Sequence, residues 1–285
     1  MKVNFRIRGG CSGFLLGMMI VGILAGCAGY NSRNQPAVVH EVFPDLLVGY
    51  LSAKDLPDSL NVLPPPPAAG SAALALDEEI SRRSLTLRDT PRWLLASSDA
   101  DMHFPHAAGT FSCALNAPIT EEETPHLYQL LLRMLSDVGV STYAAKEHYN
   151  RTRPFLWNKE PICTPNDKAR LENDGSYPSG HAAAGWGWAL ILSEISPDRT
   201  DAILARGLAF GESRNVCNVH WHSDVIQGRV IAAGAVARLH ADPGFRADLA
   251  AARAELATVR NKGLKPIRDC SAEIAALAVQ PSLAQ

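Results

Sequence analysis

The stretch TPHLYQLLLRMLSDVG, residues 124–139, restricts the fold more than any other part of the chain. Leu127, Leu130, Leu131, Met134, Leu135 and Val138 recur at i, i+3, i+4 and i+7, which makes one buried stripe on a helix. Thr124 stands at the N-cap and Pro125 at the first helical position, where a missing N–H costs nothing. SPDRTDAILARGLAFGES opens in the same way on Ser196 and Pro197. DVIQGRVIAAGAVARLHAD and FRADLAAARAELATVRNK predict two further helices, the second amphipathic. AAAGWGWALILSEI (182–195) is too short and too interrupted by glycine to span a bilayer, so it reads as a buried core helix. Alternating strand patterns with hairpin turns are missing. The expected fold is all-α, a single-domain helical bundle.

The N-terminus obeys different physics. Lys2, Arg6 and Arg8 precede FLLGMMIVGILAG, an apolar run too short to cross a membrane comfortably, and the run ends in LAGC, Leu24 to Cys27. That order matches a lipoprotein-type signal peptide over 1–27, with Cys27 as the lipidated residue; a plain secretory signal cut nearby is the alternative. Either way export is expected, to a periplasmic site and with a lipid anchor at Cys27. Residues 28–45 read as a tether and 46–262 as the functional domain. LPPPPAAGS (63–71) forms extended chain on the surface of that domain, and 263–285 are a C-terminal extension. In an oxidising compartment Cys113, Cys163, Cys217 and Cys270 favour two disulfides among three possible connectivities. Cys163–Cys217 is the expected pair, because both adjoin stretches assigned below to one pocket.

A net charge of −2 offers no basic field for a nucleic acid polymer, so any bound anion must be met by a few positioned cations. Three clusters supply them. In KEHYNRTRP, Lys146 and Arg153 are seven apart, which on a regular helix puts two cations on one face roughly 10 Å apart, with Pro154 ending the helix. A solvated basic face would look the same in isolation. In GSYPSGHAAAGW, Ser179 is placed as an N-cap, Gly180 leaves its N–H open to an anion, and His181 lies in the first turn. A capped helix with an incidental histidine is the bland reading.

In SRNVCNVHWHSD, Ser213 and Arg214 offer a hydroxyl and a planar fork to two phosphate oxygens. His220 and Asp224 are i, i+4, one helical turn apart, so the carboxylate can hold Nδ1–H and leave Nε2 as a nucleophile. His222 points away from that pair, toward the surface or behind the site. Together the clusters suit phosphoryl transfer: Lys146, Arg153, Ser179, Gly180 and Arg214 bind phosphate, His220 attacks with Asp224 behind it, and His181 protonates the leaving alkoxide. Three cations do what a magnesium ion would do, so no metal and no cofactor is expected.

These residues resemble the type 2 phosphatidic-acid-phosphatase superfamily, whose pattern is KX6RP, PSGH and SRX5HX3D. Every part is present here, as Lys146/Arg153–Pro154, Pro178–His181 and Ser213–Arg214/His220/Asp224. Within it the chain is similar to the bacterial class A non-specific acid phosphatases over roughly 40–260. The resemblance implies an all-α fold, a phosphohistidine at His220, His181 as acid and an acidic pH optimum. It also implies soluble phosphomonoester substrates, nucleotides among them, and often a homo-oligomer; phosphoryl transfer to alcohols is an activity the same phosphohistidine could support, its balance against hydrolysis left open by the sequence. Asn215, Asn218 and His222 stand where the class is usually filled otherwise, Ala182 stands where threonine is common, and the lipobox and the segment with Cys270 are not general features.

Other functions fit the same anion pocket less well. A membrane lipid phosphatase needs several spanning helices. A vanadate-dependent haloperoxidase shares the pocket and differs by its chemistry with peroxide. A phosphate-binding lipoprotein would have no use for two histidines, and a metallophosphatase would need His220, His222 and Asp224 as ligands.

Overall fold

The computed structural model describes residues 35–43 and 46–279; the signal-peptide and lipidation assignments, with Cys11 and Cys27, lie outside them. Among the described residues the fold is all-α, apart from a two-stranded antiparallel ribbon of β1 (Glu41–Phe43) and β2 (Leu46–Leu47). The first helices are α1 (Ser59–Val62), α2 (Ala72–Leu85), α3 (Pro91–Ser98), α4 (Ser112–Leu115) and α5 (Pro125–Val140). Short α6 (Tyr143–Tyr149), α7 (Pro154–Asn158) and α8 (Lys168–Leu171) follow. The long α9 (Gly180–Ile195), α10 (Thr200–Val216), α11 (His222–Leu239) and α12 (Pro243–Asn261) come next, and α13 (Cys270–Ala278) ends the described chain. No described helix is long and apolar enough to cross a membrane.

The apolar helix α9 is the axis, flanked by α10, α11 and α5, with α12 laid on α5. Leu127, Leu130, Leu131 and Met134 of α5 are buried, as their spacing predicts, and each contributes about 1.5–3 kcal/mol of transfer free energy. They share one core with Trp188, Ile191 and Leu192 of α9, Phe210 of α10 and Leu249 and Leu256 of α12. Trp188 donates its indole N–H to the Leu131 carbonyl at 2.9 Å, which satisfies the polar atom of the largest core side chain. Two glycines allow the close approach of the central helices. A Cβ on Gly207 of α10 would stand 2.5 Å from that of Ala189 on α9, and one on Gly228 of α11 would collide with the Ser179 carbonyl oxygen.

Helix starts differ in detail from the sequence expectations. α5 begins at Pro125, but Thr124 makes no side-chain cap. Its hydroxyl donates to the Thr120 carbonyl, and Glu255 of α12 instead accepts from the N–H groups of His126 and Leu127 at 3.2 and 3.0 Å. A carboxylate at a helix N-terminus also complements the macrodipole, so the cap and the α5–α12 contact are one interaction. Ser196–Pro197 opens a 3-10 turn, Pro197–Arg199, and α10 proper starts at Thr200. The polyproline stretch is extended, as expected, and Tyr177 donates its hydroxyl to the Pro64 carbonyl at 2.5 Å. Residues 35–39, within the stretch read as a tether, reach the domain: Gln129 donates to the Ala37 carbonyl at 2.7 Å. The cysteines pair as Cys163–Cys217 and Cys113–Cys270.

Candidate active site

The N-terminus of α9 forms one wall. Ser179 is its N-cap, and its Oγ accepts from the Ala182 N–H at 3.2 Å, which leaves the hydroxyl proton available to an anion. Asp224 of α11 accepts the Ser179 N–H on its backbone carbonyl at 3.0 Å. That contact and the Gly228 approach fix where α9 begins. Gly180 and His181, the first two helical residues, have N–H groups with no acceptor among the described residues. Free N–H groups at a helix start are an anion site in waiting.

The cations arrive by a route other than the one expected. Lys146 and Arg153 do not share a helix. α6 stops at Tyr149 because Asn150 takes a left-handed conformation (φ 37°), and Arg153 is extended ahead of Pro154, which starts α7. The two cations still converge, since Lys146 Nζ and Arg153 Nη2 both donate to the Gly175 carbonyl, at 2.7 and 3.2 Å. Arg153 further donates to the carbonyls of Leu171, Asp174 and Val219 and pairs with the Asp174 carboxylate at 2.8 Å.

Arg214, in the last turn of α10, is 1% exposed, and its Nε and Nη1 have no hydrogen-bond partner. Its guanidinium is pulled below its ordinary value by burial first and by Arg153 second. Lys146 is pulled down to about 8, again chiefly by burial. Buried cations this poorly neutralised are costly unless an anion completes them. Ser213 does not join them. Its buried hydroxyl donates to Asp99 at 2.6 Å and accepts from Arg92 at 3.0 Å, so the expected phosphate contact is replaced by a structural one.

His220 and Asp224 do meet, but not as two residues of one helix. α11 begins at His222 with Trp221 as its N-cap, so His220 sits in the turn before the helix and Asp224 at its third position. Asp224 Oδ2 accepts the Trp221 N–H at 2.8 Å, and Nδ1 of His220 lies 3.4 Å from the same oxygen. Nε2 of His220 is 3.1 Å from Arg153 Nη1, which can only donate, so Nε2 bears the lone pair and Nδ1 the proton. Burial, then Arg153, Lys146 and Arg214, hold His220 well below the ordinary histidine value, so it is neutral. Asn215 donates to the His220 carbonyl at 2.9 Å, and Asn218 turns the chain at φ 61°, a conformation asparagine tolerates. Both departures from the class pattern therefore shape the turn that carries His220. His222 faces elsewhere, lining a cavity of about 280 Å³ with Glu212, Arg92 and Leu277, so His220, His222 and Asp224 do not converge as metal ligands.

His181 places Nε2 at 3.0 Å from the Ala100 carbonyl, which holds a proton there and leaves Nδ1 as the atom able to pass one on. Burial and then Arg214 push its charged form well below the ordinary range.

Three contributors escaped the sequence reading. Arg151 donates to Asp224 Oδ1 at 2.6 Å and to Asp77 of α2 at 2.8 Å, and its guanidinium lies 5.3 Å from the Trp221 ring centre. Asp77 in turn accepts the N–H and hydroxyl of Ser223, at 2.7 and 2.6 Å. This buried network opposes the rise that burial imposes on the Asp224 carboxyl, with Arg151 the largest opposing influence. Arg170 on α8, largely exposed, adds positive potential at Lys146, Arg153, His181 and Arg214. Arg151 lay inside a motif already quoted, but nothing in its spacing distinguishes it; Asp77 lies in an ordinary charged helix.

Comparison with known proteins agrees with this geometry. The PAP2 superfamily pattern matches residues 126–246. The chain is 44% identical over 218 residues to a non-specific acid phosphatase of Providencia stuartii, covering 76% of this chain and 87% of that protein. It is 36% identical over 250 residues to an acid phosphatase of Zymomonas mobilis, covering 88% and 90%. A non-specific acid phosphatase of Salmonella typhimurium is 39% identical over 206 residues, 72% and 82% of the two chains. With a helical scaffold, an anion pocket and these relatives in agreement, the chain belongs to the PAP2 superfamily, as a class A-like acid phosphatase.

Proposed function

We propose that the chain hydrolyses soluble phosphomonoesters, nucleotides among them, through a phosphohistidine on His220 and without a metal. The observation that carries this is the buried Arg214, with two unpartnered guanidinium nitrogens beside a neutral His220. A phosphate dianion supplies what the pocket lacks. Its oxygens meet Arg214, Lys146, the Ser179 hydroxyl and the N–H groups of Gly180 and His181. An oxygen that takes the Arg153 bond releases the Nε2 lone pair of His220. Nε2 then attacks phosphorus, the ester P–O bond breaks, and the departing alkoxide takes a proton from Nδ1 of His181.

That proton depends on substrate. The empty pocket disfavours a charged His181, and a dianion beside Arg214 reverses the local potential and raises its affinity for a proton. In the second step water attacks phosphorus and gives its proton to His181, and the P–Nε2 bond breaks to release phosphate. An alcohol in place of water gives phosphotransfer. Asp224 stabilises the His220 Nδ1 proton throughout. Two disulfides fit an exported protein, and Cys27 is the proposed lipid anchor to a periplasmic membrane face.

The test is phosphate release from a nucleoside monophosphate at pH 5 to 7 in EDTA, for the wild type and His220→Ala. Activity in the first and none in the second is the expected result. A His220→Ala enzyme with wild-type kcat refutes the nucleophile. Bromination dependent on vanadate and peroxide, with no phosphate release, makes the pocket a peroxidase site; tight phosphate binding without turnover makes it a receptor.

A further inference from the structure

The C-terminal helix α13 lies outside the segment matched by the superfamily, and its docking is chemically odd. Only Glu273 and Ala276 of its nine residues are buried, while Ile274 is 68% exposed. Too little apolar area is removed from water to hold so short a helix in place. Besides the half-buried Leu277 and Val279 at its end, it is held by a covalent bond, Cys270 at its first position to Cys113 in α4, and by one buried charge.

That charge leads toward the site. Glu273, 8% exposed, places Oε2 at 3.4 Å from Nε of Arg206, itself 2% exposed. Arg206 uses its other two nitrogens as a fork on buried Asp99, at 3.1 and 2.5 Å. A two-point fork fixes the carboxylate in orientation as well as position. Asp99 caps the C-terminus of α3, and the next residue is Ala100, whose carbonyl receives Nε2–H of His181. The Ser213 hydroxyl closes the cluster on Asp99, beside Arg214.

We propose that α13 is a strut for the general acid, with Glu273 a positioning residue for His181 and Cys113–Cys270 its fastening. This rests on the reading of His181 as acid. Glu273 holds Arg206 from one side so that its fork stays flat on Asp99; the Asp99–Ala100 segment then presents a fixed carbonyl to His181. Without Glu273 the Nε of a buried guanidinium has no carboxylate, and Arg206 must shift toward water or another acceptor. A carbonyl displaced by about 1 Å misaims the proton that the leaving group needs. The fastening is the more accessible of the two disulfides, since Cys113 and Cys270 are partly exposed and Cys163 and Cys217 are buried.

The experiment compares kcat/KM, which reports ester cleavage and not the later hydrolysis of the phosphohistidine, on p-nitrophenyl phosphate, whose leaving group needs little protonation, and on glycerol 2-phosphate, whose leaving group needs much. It uses E273Q, the double variant C113S/C270S and H181A, with inhibition by inorganic phosphate measured alongside. Expected is a loss of about tenfold on the glycerol ester in E273Q and in C113S/C270S, with nitrophenyl phosphate and phosphate inhibition within about twofold. H181A should show the same selectivity, more strongly. Equal losses on both esters, the mark of a merely unfolded fraction, overturn the proposal, as does no loss on either. If H181A itself lacks selectivity, the acid assignment fails, and the strut fails with it.

Discussion

Replacing Arg151 by methionine keeps most of the side-chain volume and removes one charge from the centre of a buried network. Asp224 and Asp77 are both fully enclosed, and Arg151 is the cation bonded to each, at 2.6 and 2.8 Å. Breaking a buried pair by deleting one partner costs about 3–5 kcal/mol, because the other charge stays behind. In a domain of this size that is a fall in Tm of about 10 °C. Asp224 can escape part of the cost by taking a proton. Burial already raises its carboxyl, and Arg151 opposes that shift, so the variant raises it further. A carboxyl with a raised folded-state value is unpenalised below its unfolded value and loses stability as pH climbs through the folded one. The gap between variant and wild type should therefore be small near pH 4 and widen toward pH 7. Activity should fall about 100-fold, since a protonated Asp224 no longer stabilises the His220 Nδ1 proton. Inorganic phosphate should still bind within a few-fold, because Arg151 faces Asp77 and Asp224 and not the anion. Thermal melts at pH 4, 5.5 and 7, kcat, and phosphate inhibition measure all of this. A variant that melts within about 2 °C of wild type at pH 7 and turns over normally would refute the account of Arg151 as the charge that steadies Asp224.

Two further outcomes follow from the pocket. Lys146 is held at about 8 when the pocket is empty, and phosphate favours its charged form, so calorimetric phosphate affinity should weaken about tenfold per pH unit above that point. Lys146→Met should bind weakly and lose that slope; an unchanged slope assigns it to another group. Gly228→Ala should drive α11 away from Ser179 and misplace the start of α9, costing about 1–3 kcal/mol and at least tenfold in kcat/KM. Wild-type kinetics in that variant would mean that the helix start tolerates displacement.

The sequence was most informative where one residue type does one local job. Ser179 as an N-cap, the stripe of α5 and the apolar α9 all follow from periodicity and capping chemistry, and the structure has them where they were expected. It misled where spacing was converted to a helix. Seven residues from Lys146 to Arg153 suggested one helical face, yet Asn150 breaks it; four from His220 to Asp224 suggested one turn, yet Asn218 and Trp221 set the turn and the helix start. The residues converge by tertiary contacts that spacing only imitates. Ser213 was drawn off by Asp99, and Arg151 and Asp77 were invisible because their partners lie in distant segments of the chain.

Those distances along the chain bear on how the molecule is made. Asp77 meets Ser223 after 146 residues, Tyr50 meets Asp248 after 198, and Cys113 meets Cys270 after 157. As the chain emerges from a ribosome, the first third carries groups destined for burial whose partners have not been synthesised. Non-local closure of this kind is slow. The nascent N-terminal segments therefore cannot make these contacts until the C-terminal part of the chain exists. The architecture ties competence to completion: the proposed phosphate pocket is assembled only when Arg214, His220 and Asp224 have joined the segments made long before them.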